Sequence, residues 1–188
     1  MLEDIGMMRG LANMYVMCTS DDLETKWAVE AISKIKEPVY LRLCRYATPQ
    51  IYDENQKFEI GKGVQIGNGT DATVFATGVV VPEAIKAKEE LEKQGINIRV
   101  VDMHTIKPID EELIVKCAKE TKKLISIEDH SVINGLGTAI SDVLTEKYPC
   151  KLIKMGIKDR YGKSGPAKEL LKYFELTAED IFDVVKNS

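Results

Sequence analysis

The chain has 188 residues, 44% of them hydrophobic and 30% charged, the composition of an ordinary soluble globular protein and not of a disordered one. Thirty acidic residues against 26 basic ones leave a formal charge of -4, and the basic residues are scattered, which argues against nucleic acid as a partner. The longest apolar stretches, such as residues 72–82, fall far short of the ~20 residues a membrane helix needs, and the N-terminus lacks a basic-then-apolar signal pattern, so we expect a cytoplasmic protein without a membrane partner.

Residues 3–11 carry Ile5, Met8 and Leu11 at helical spacing, and residues 15–18 read as a short apolar strand. Ser20-Asp21-Asp22, with Glu24 close by, starts a helix carrying Leu23, Trp27, Val29, Ala31 and Ile35, which Pro38 ends. VYLRLC at 39–44 follows as a strand. Helix, strand, helix, strand buries little alone, so we expect this part to be an incomplete unit. Residues 46–70 are punctuated by glycine, asparagine and Pro49, and short alternating runs at 57–60 and 63–66 make them a linker with a hairpin. Beyond it, apolar runs at 72–76, 98–101, 124–127 and 152–155 alternate with helical periods at 82–93, 110–121 and 137–147. That alternation predicts an α/β, three-layer architecture, a mostly parallel sheet with helices on both faces. Asp110 suits a helix N-cap, and two short helices at 167–174 and 178–186 close the chain, the second capped by Thr177 with Asp180 three residues on.

Candidate sites are few. The run LISIEDHSVINGLGTAISDVL from Leu124 breaks at Glu128-Asp129-His130 and meets Gly135 and Gly137 before a helix, the geometry in which α/β proteins place ligands. His104 and His130 both follow strands, where a general base could sit, and each is equally compatible with a half-buried histidine bonded to a backbone carbonyl. Arg42 and Arg45 lie at the carboxyl end of a strand, where a guanidinium can fork onto a phosphate, although such an arginine is commonly a solvated charge. Thr77-Gly78 has neither phosphate-loop pattern and reads as a plain strand-to-helix turn. The loop Asp159-Arg160-Tyr161-Gly162 with Ser164-Gly165 is an anion nest or, more simply, a connection. Cys18, Cys44, Cys117 and Cys150 show no metal-ligand spacing and read as reduced thiols.

Taken in order, DATVFATG from Asp71, VVDMHTIKPID from Val100, LISIEDHSVINGLGTA from Leu124 and DRYGKSG from Asp159 resemble the C-terminal domain of transketolases and their thiamine diphosphate relatives. EDIGMMRGLANMYV, CTSDDLE and EPVYLRLCR are similar to the end of the pyrimidine-binding domain that precedes it in that family. The triplet and the Gly135-Leu136-Gly137 that follows it look more like transketolase than like the pyruvate dehydrogenase β subunit or deoxyxylulose phosphate synthase. The resemblance implies a partial pyrimidine-binding domain at 1–48, a linker at 49–70 and a transketolase-type C-terminal domain at 71–188. It also implies an activity of the pentose phosphate pathway, the passage of a two-carbon ketol unit from ketose phosphate to aldose phosphate in the complete assembly, with thiamine diphosphate and Mg2+. No catalytic, cofactor or metal residue is expected in this chain, which we expect to be inactive and without bound cofactor when alone. Arg45 matches the family arginine that contacts substrate phosphate, and Glu3-Asp4 match an acidic pair whose preceding threonine, histidine and glutamine are not in this sequence. The implied partners are an N-terminal transketolase section or subunit and sugar phosphates, in a homodimer or hetero-oligomer. Two alternatives stand beside this reading, a stand-alone dimerisation or regulatory ligand-binding module, and a fragment of one of the two related enzymes.

Overall fold

In the computed structural model, which describes residues 1–188, the backbone closes into two hydrogen-bonded sheets. The smaller has the order β2-β1-β6, with β1 at Tyr15–Cys18, β2 at Val39–Arg42 and β6 at Thr105–Lys107. Strand β1 pairs parallel with β2, from Tyr15 opposite Val39 to Cys18 opposite Arg42, and antiparallel with β6 on its other side. Between β1 and β2 runs α2, Asp22–Ile32, its first turn capped by the Asp21 carboxylate accepting the Glu24 N–H at 2.8 Å. The short helix α1, Asp4–Arg9, precedes β1, and the Lys107 ammonium donates to the carbonyls of Arg9 and Leu11 at its end. A strand from far along the chain therefore completes the first sheet.

The larger sheet has the order β3-β5-β4-β7-β8. Here β4 (Ala72–Ala76), β5 (Ile98–Asp102), β7 (Leu124–Ser131) and β8 (Leu152–Ile157) are parallel, and β3 (Val64–Ile66) adds an antiparallel edge to β5. Side chains alternate across a strand, so Val74 and Val100 face one layer while Phe75 and Val101 face the other. The first layer holds α3 (Val81–Glu92) and α7 (Ala178–Asn187), packed through Ala84, Ala87, Leu91, Ile181 and Val185. The second holds α4 (Glu111–Glu120) and α5 (Leu136–Lys147), packed through Ile114, Leu136, Ile140 and Val143. Ile5 of α1 and Val16 and Cys18 of β1 lie in this second core, so burial joins the two sheets as well as hydrogen bonds do. The helix α6, Ala167–Tyr173, connects β8 to α7. The three-layer, mostly parallel fold expected from the alternating pattern is present.

Two local expectations are corrected. No hairpin forms in the linker: residues 57–60 make no strand, and β3 pairs with the open edge of β5 instead. Phe58 turns inward, its ring 5.3 Å from Trp27 and 5.0 Å from Tyr52, and that burial outweighs a two-stranded ribbon exposed to water. The strand that was expected to stop at Ile127 runs on through Glu128-Asp129-His130 to Ser131, with an irregularity against β8. Polar residues continue a buried strand here because each finds a partner across the fold.

Candidate functional site

Strands β1 and β2 end side by side at Cys18 and Arg42, and a cleft of about 350 Å³ opens there, lined among others by Tyr40, Cys44, Arg45, Tyr46 and Gly78. The two arginines expected at this end have different surroundings. Arg42 is enclosed: its Nε donates to Asp4 Oδ2 at 2.9 Å, its Nη1 donates to the Asp129 carboxylate, and its Nη2 donates to the carbonyls of Met1 and Asp129. The Tyr40 hydroxyl donates to the same Asp4 oxygen at 2.6 Å. Burial works to raise the Asp4 carboxyl, and Tyr40 and Arg42 outweigh it, holding Asp4 below the usual carboxylate range. Arg45, three residues on, is exposed on the rim of the cleft and engaged in no ion pair. It is the guanidinium here with free donors for an anion.

The acidic triplet is engaged with other groups of the chain. Glu128 is fully buried, and its carboxylate accepts the N–H groups of Leu136 at 2.7 Å and Gly137 at 2.9 Å. The helix N-terminus that could have taken a phosphate is thus filled by the chain's own carboxylate. Gly135 permits this approach, because a Cβ there would sit 1.9 Å from Glu128 Oε2. Asp129 takes Arg42, as above. His130 has its Nδ1 2.7 Å from the Ser131 carbonyl and its Nε2 3.3 Å from the Gly6 N–H, partners that assign the proton to Nδ1 and leave Nε2 as acceptor. Burial lowers its pKa, but the Glu128 carboxylate 3.5 Å away carries the balance upward. Its nitrogens face α1 and its own strand, not the cleft.

The remaining candidates also contact groups of the chain itself. His104 is fully buried in an aromatic box, 4.9 Å from Trp27 and 5.8 Å from Phe58, with Nδ1 at 3.0 Å from Thr105 Oγ1. Desolvation pushes it down to about 4, so it is neutral at physiological pH. Thr77 donates from its hydroxyl to the Met103 carbonyl at 3.0 Å, and Gly78, at φ +61, passes so close to β1 that a Cβ would meet Cys18 Sγ at 2.6 Å. That turn pins the two sheets together and binds no phosphate pattern of its own. In the 159–165 loop Arg160 stacks on Tyr173 and Phe174 and donates to the Tyr173 carbonyl. All four cysteines are free, and burial pushes the Cys18 thiol up to about 12, far from a nucleophile. No group of three or more His, Cys, Asp or Glu side chains is arranged to hold a metal ion.

One buried polar cluster was not foreseen. Ser20, Glu24 and Asp102 are each no more than 1% exposed, and with Tyr52 they link α2, the linker and the end of β5. In the sequence Glu24 marks only a helix start, yet its carboxylate turns back to accept the Ser20 N–H at 2.6 Å. The partner Asp102 lies 82 residues from Ser20, a separation no local pattern encodes.

Comparison with known proteins follows the same lines. Residues 61–181 match the family described as transketolase, C-terminal domain. The chain is 45% identical to a putative transketolase C-terminal section of Methanocaldococcus jannaschii, covering 96% of this chain and 57% of that protein. It is 34% identical to rat transketolase, covering 98% of this chain and 30% of that enzyme. A solved structure described as a split-gene transketolase, inactive β4 tetramer, superposes with a TM-score of 0.94 at 40% identity, covering 98% of this chain and 61% of that one. The chain thus spans somewhat more than half the length of its more similar curated relatives.

Proposed function

This chain belongs to the transketolase family through its C-terminal domain, and from that premise we propose that it serves as the C-terminal section of a split transketolase. The complete enzyme would join it to an N-terminal section on another polypeptide and move a two-carbon ketol unit from ketose phosphate to aldose phosphate. We assign thiamine diphosphate and Mg2+ to the complete enzyme and not to this chain by itself. Residues 1–48 would close a pyrimidine-binding domain, 49–70 link it, and 71–188 form the C-terminal domain. In that assembly Arg45 binds substrate phosphate. The single observation supporting this role is the contrast at the cleft: Arg42 spends its donors on Asp4, Asp129 and carbonyls, whereas Arg45 keeps its own free at the rim. By analogy with the β4 tetramer of its relative, the chain alone self-associates and is inactive.

The test is reconstitution. A complete C-terminal section carrying this chain, which spans somewhat more than half of such a section in its relatives, is mixed with an N-terminal transketolase section, cofactor, Mg2+, a ketose phosphate and an aldose phosphate. Ketol transfer is expected from the mixture and from neither part alone. Calorimetric binding of thiamine diphosphate with Mg2+ to the chain by itself would overturn the division of labour.

A further inference from the structure

We propose that Glu24 and Asp102 share one proton at neutral pH, and that this proton is a latch holding α2, the linker and the larger sheet together, released as the pH rises. The hydrogen count requires it. Ser20 Oγ lies 2.9 Å from Glu24 Oε2 and 2.7 Å from Asp102 Oδ2, both hydrogen-bonding distances. A serine hydroxyl has one proton to donate, so it satisfies one carboxylate, and the second contact is a hydrogen bond only if the other carboxyl brings a proton of its own. The other donors are already placed. The Ser20 N–H serves Glu24, the Tyr52 hydroxyl serves Asp102 at 2.9 Å, and Glu24 Oε1 and Asp102 Oδ1 have no further partner.

Surrounding charges favour the same state. Asp21, at the start of α2, adds a third carboxylate, and its Oδ2 is taken by the N–H groups of Ile51 and Tyr52 at 3.0 Å each. No lysine or arginine pairs with Glu24 or Asp102, and His104 in the adjoining aromatic box is kept neutral by burial. Two ionised, fully buried carboxylates would then repel with only the Ser20 hydroxyl between them and no cation. Burial pushes Asp102 up to about 7, and burial followed by the Asp102 charge raises Glu24. The groups concerned come from three parts of the chain, so losing the proton presses α2 and Tyr52 away from the end of β5.

The sign follows from linkage. An acid whose folded pKa is raised stabilises the fold fully below its unfolded pKa of about 4, and this is lost as pH rises through the folded value near 7. The experiment is urea unfolding of the full chain between about pH 5 and pH 9, where one released proton changes the unfolding constant by up to tenfold per pH unit. His130, also raised, titrates in the same direction, so the variant carries the test. Glu24→Gln supplies fixed N–H donors in place of the proton and is expected to remove most of the slope around pH 7, whereas His130→Gln retains it. Infrared spectra at neutral pH are expected to show a protonated carboxyl band in the wild type and not in Glu24→Gln. If Glu24→Gln fails to fold, carboxyl-carbon NMR titration of the wild type decides: a carboxyl titrating near 7 supports the latch. A wild type whose carboxyls all titrate below about 5, or a Glu24→Gln slope equal to that of the wild type, overturns it.

Discussion

At the Arg42 seam a guanidinium stands between Asp4 and Asp129, with Tyr40 and two carbonyls completing the shell. At the Ser20 seam two carboxyls face each other with a serine between them and no cation. Both seams join the first sheet's segment to the larger sheet, yet one neutralises its acids with a fixed positive charge and the other with a proton. A guanidinium stays charged at any pH a protein survives, and a proton does not. The first seam sets a constant connection, and the second sets one that responds to pH.

The sharpest way to break the contrast is Arg42→Ala. It leaves the buried Asp4 and the half-buried Asp129 without their cation, and a loss of about 3–5 kcal/mol in urea unfolding is expected at neutral pH, shrinking toward acid pH where the two carboxyls take up protons instead. Tyr52→Phe removes one donor from Asp102 and should cost about 1–3 kcal/mol. Its cost should grow on the alkaline side, where Asp102 is charged and needs that donor most. A smaller effect is expected at His104, whose folded pKa near 4 lies below its unfolded value of about 6.5. Its contribution is full above about 6.5 and lost as the pH falls toward 4, so His104→Phe should flatten the acid limb of a stability profile and leave the alkaline limb unchanged. Arg45→Ala is expected to shift stability by no more than about 0.5 kcal/mol, since the side chain is exposed and unpaired.

What was legible in the sequence was what is local. The caps at Asp21, Asp110 and Thr177 were readable because a cap and its helix lie within four residues. Strands β1, β4 and β5 were readable because apolar runs bounded by turn residues need no distant partner to be recognised. Strand β6 was missed because three residues, Thr105, Ile106 and Lys107, become a strand only by pairing with β1. The triplet was located correctly and its partners were not, since Asp129 meets Arg42 across 87 residues and His130 meets Gly6 across 124. The acidic latch left no trace at all in pattern or spacing. Arg45 was singled out by resemblance, and its open surroundings beside the enclosed Arg42 add a physical reason to test it.

Reconstitution of a complete C-terminal section carrying this chain with an N-terminal transketolase section, comparing wild type with Arg45→Ala on phosphorylated and unphosphorylated substrates, tests the account most directly. We expect ketol transfer from the wild-type mixture, and for Arg45→Ala a loss of roughly 10- to 100-fold in kcat/KM with phosphorylated substrates, carried mainly by KM, with unphosphorylated ones barely changed. No transfer from the wild-type mixture, or an equal loss for both substrate types, would contradict it.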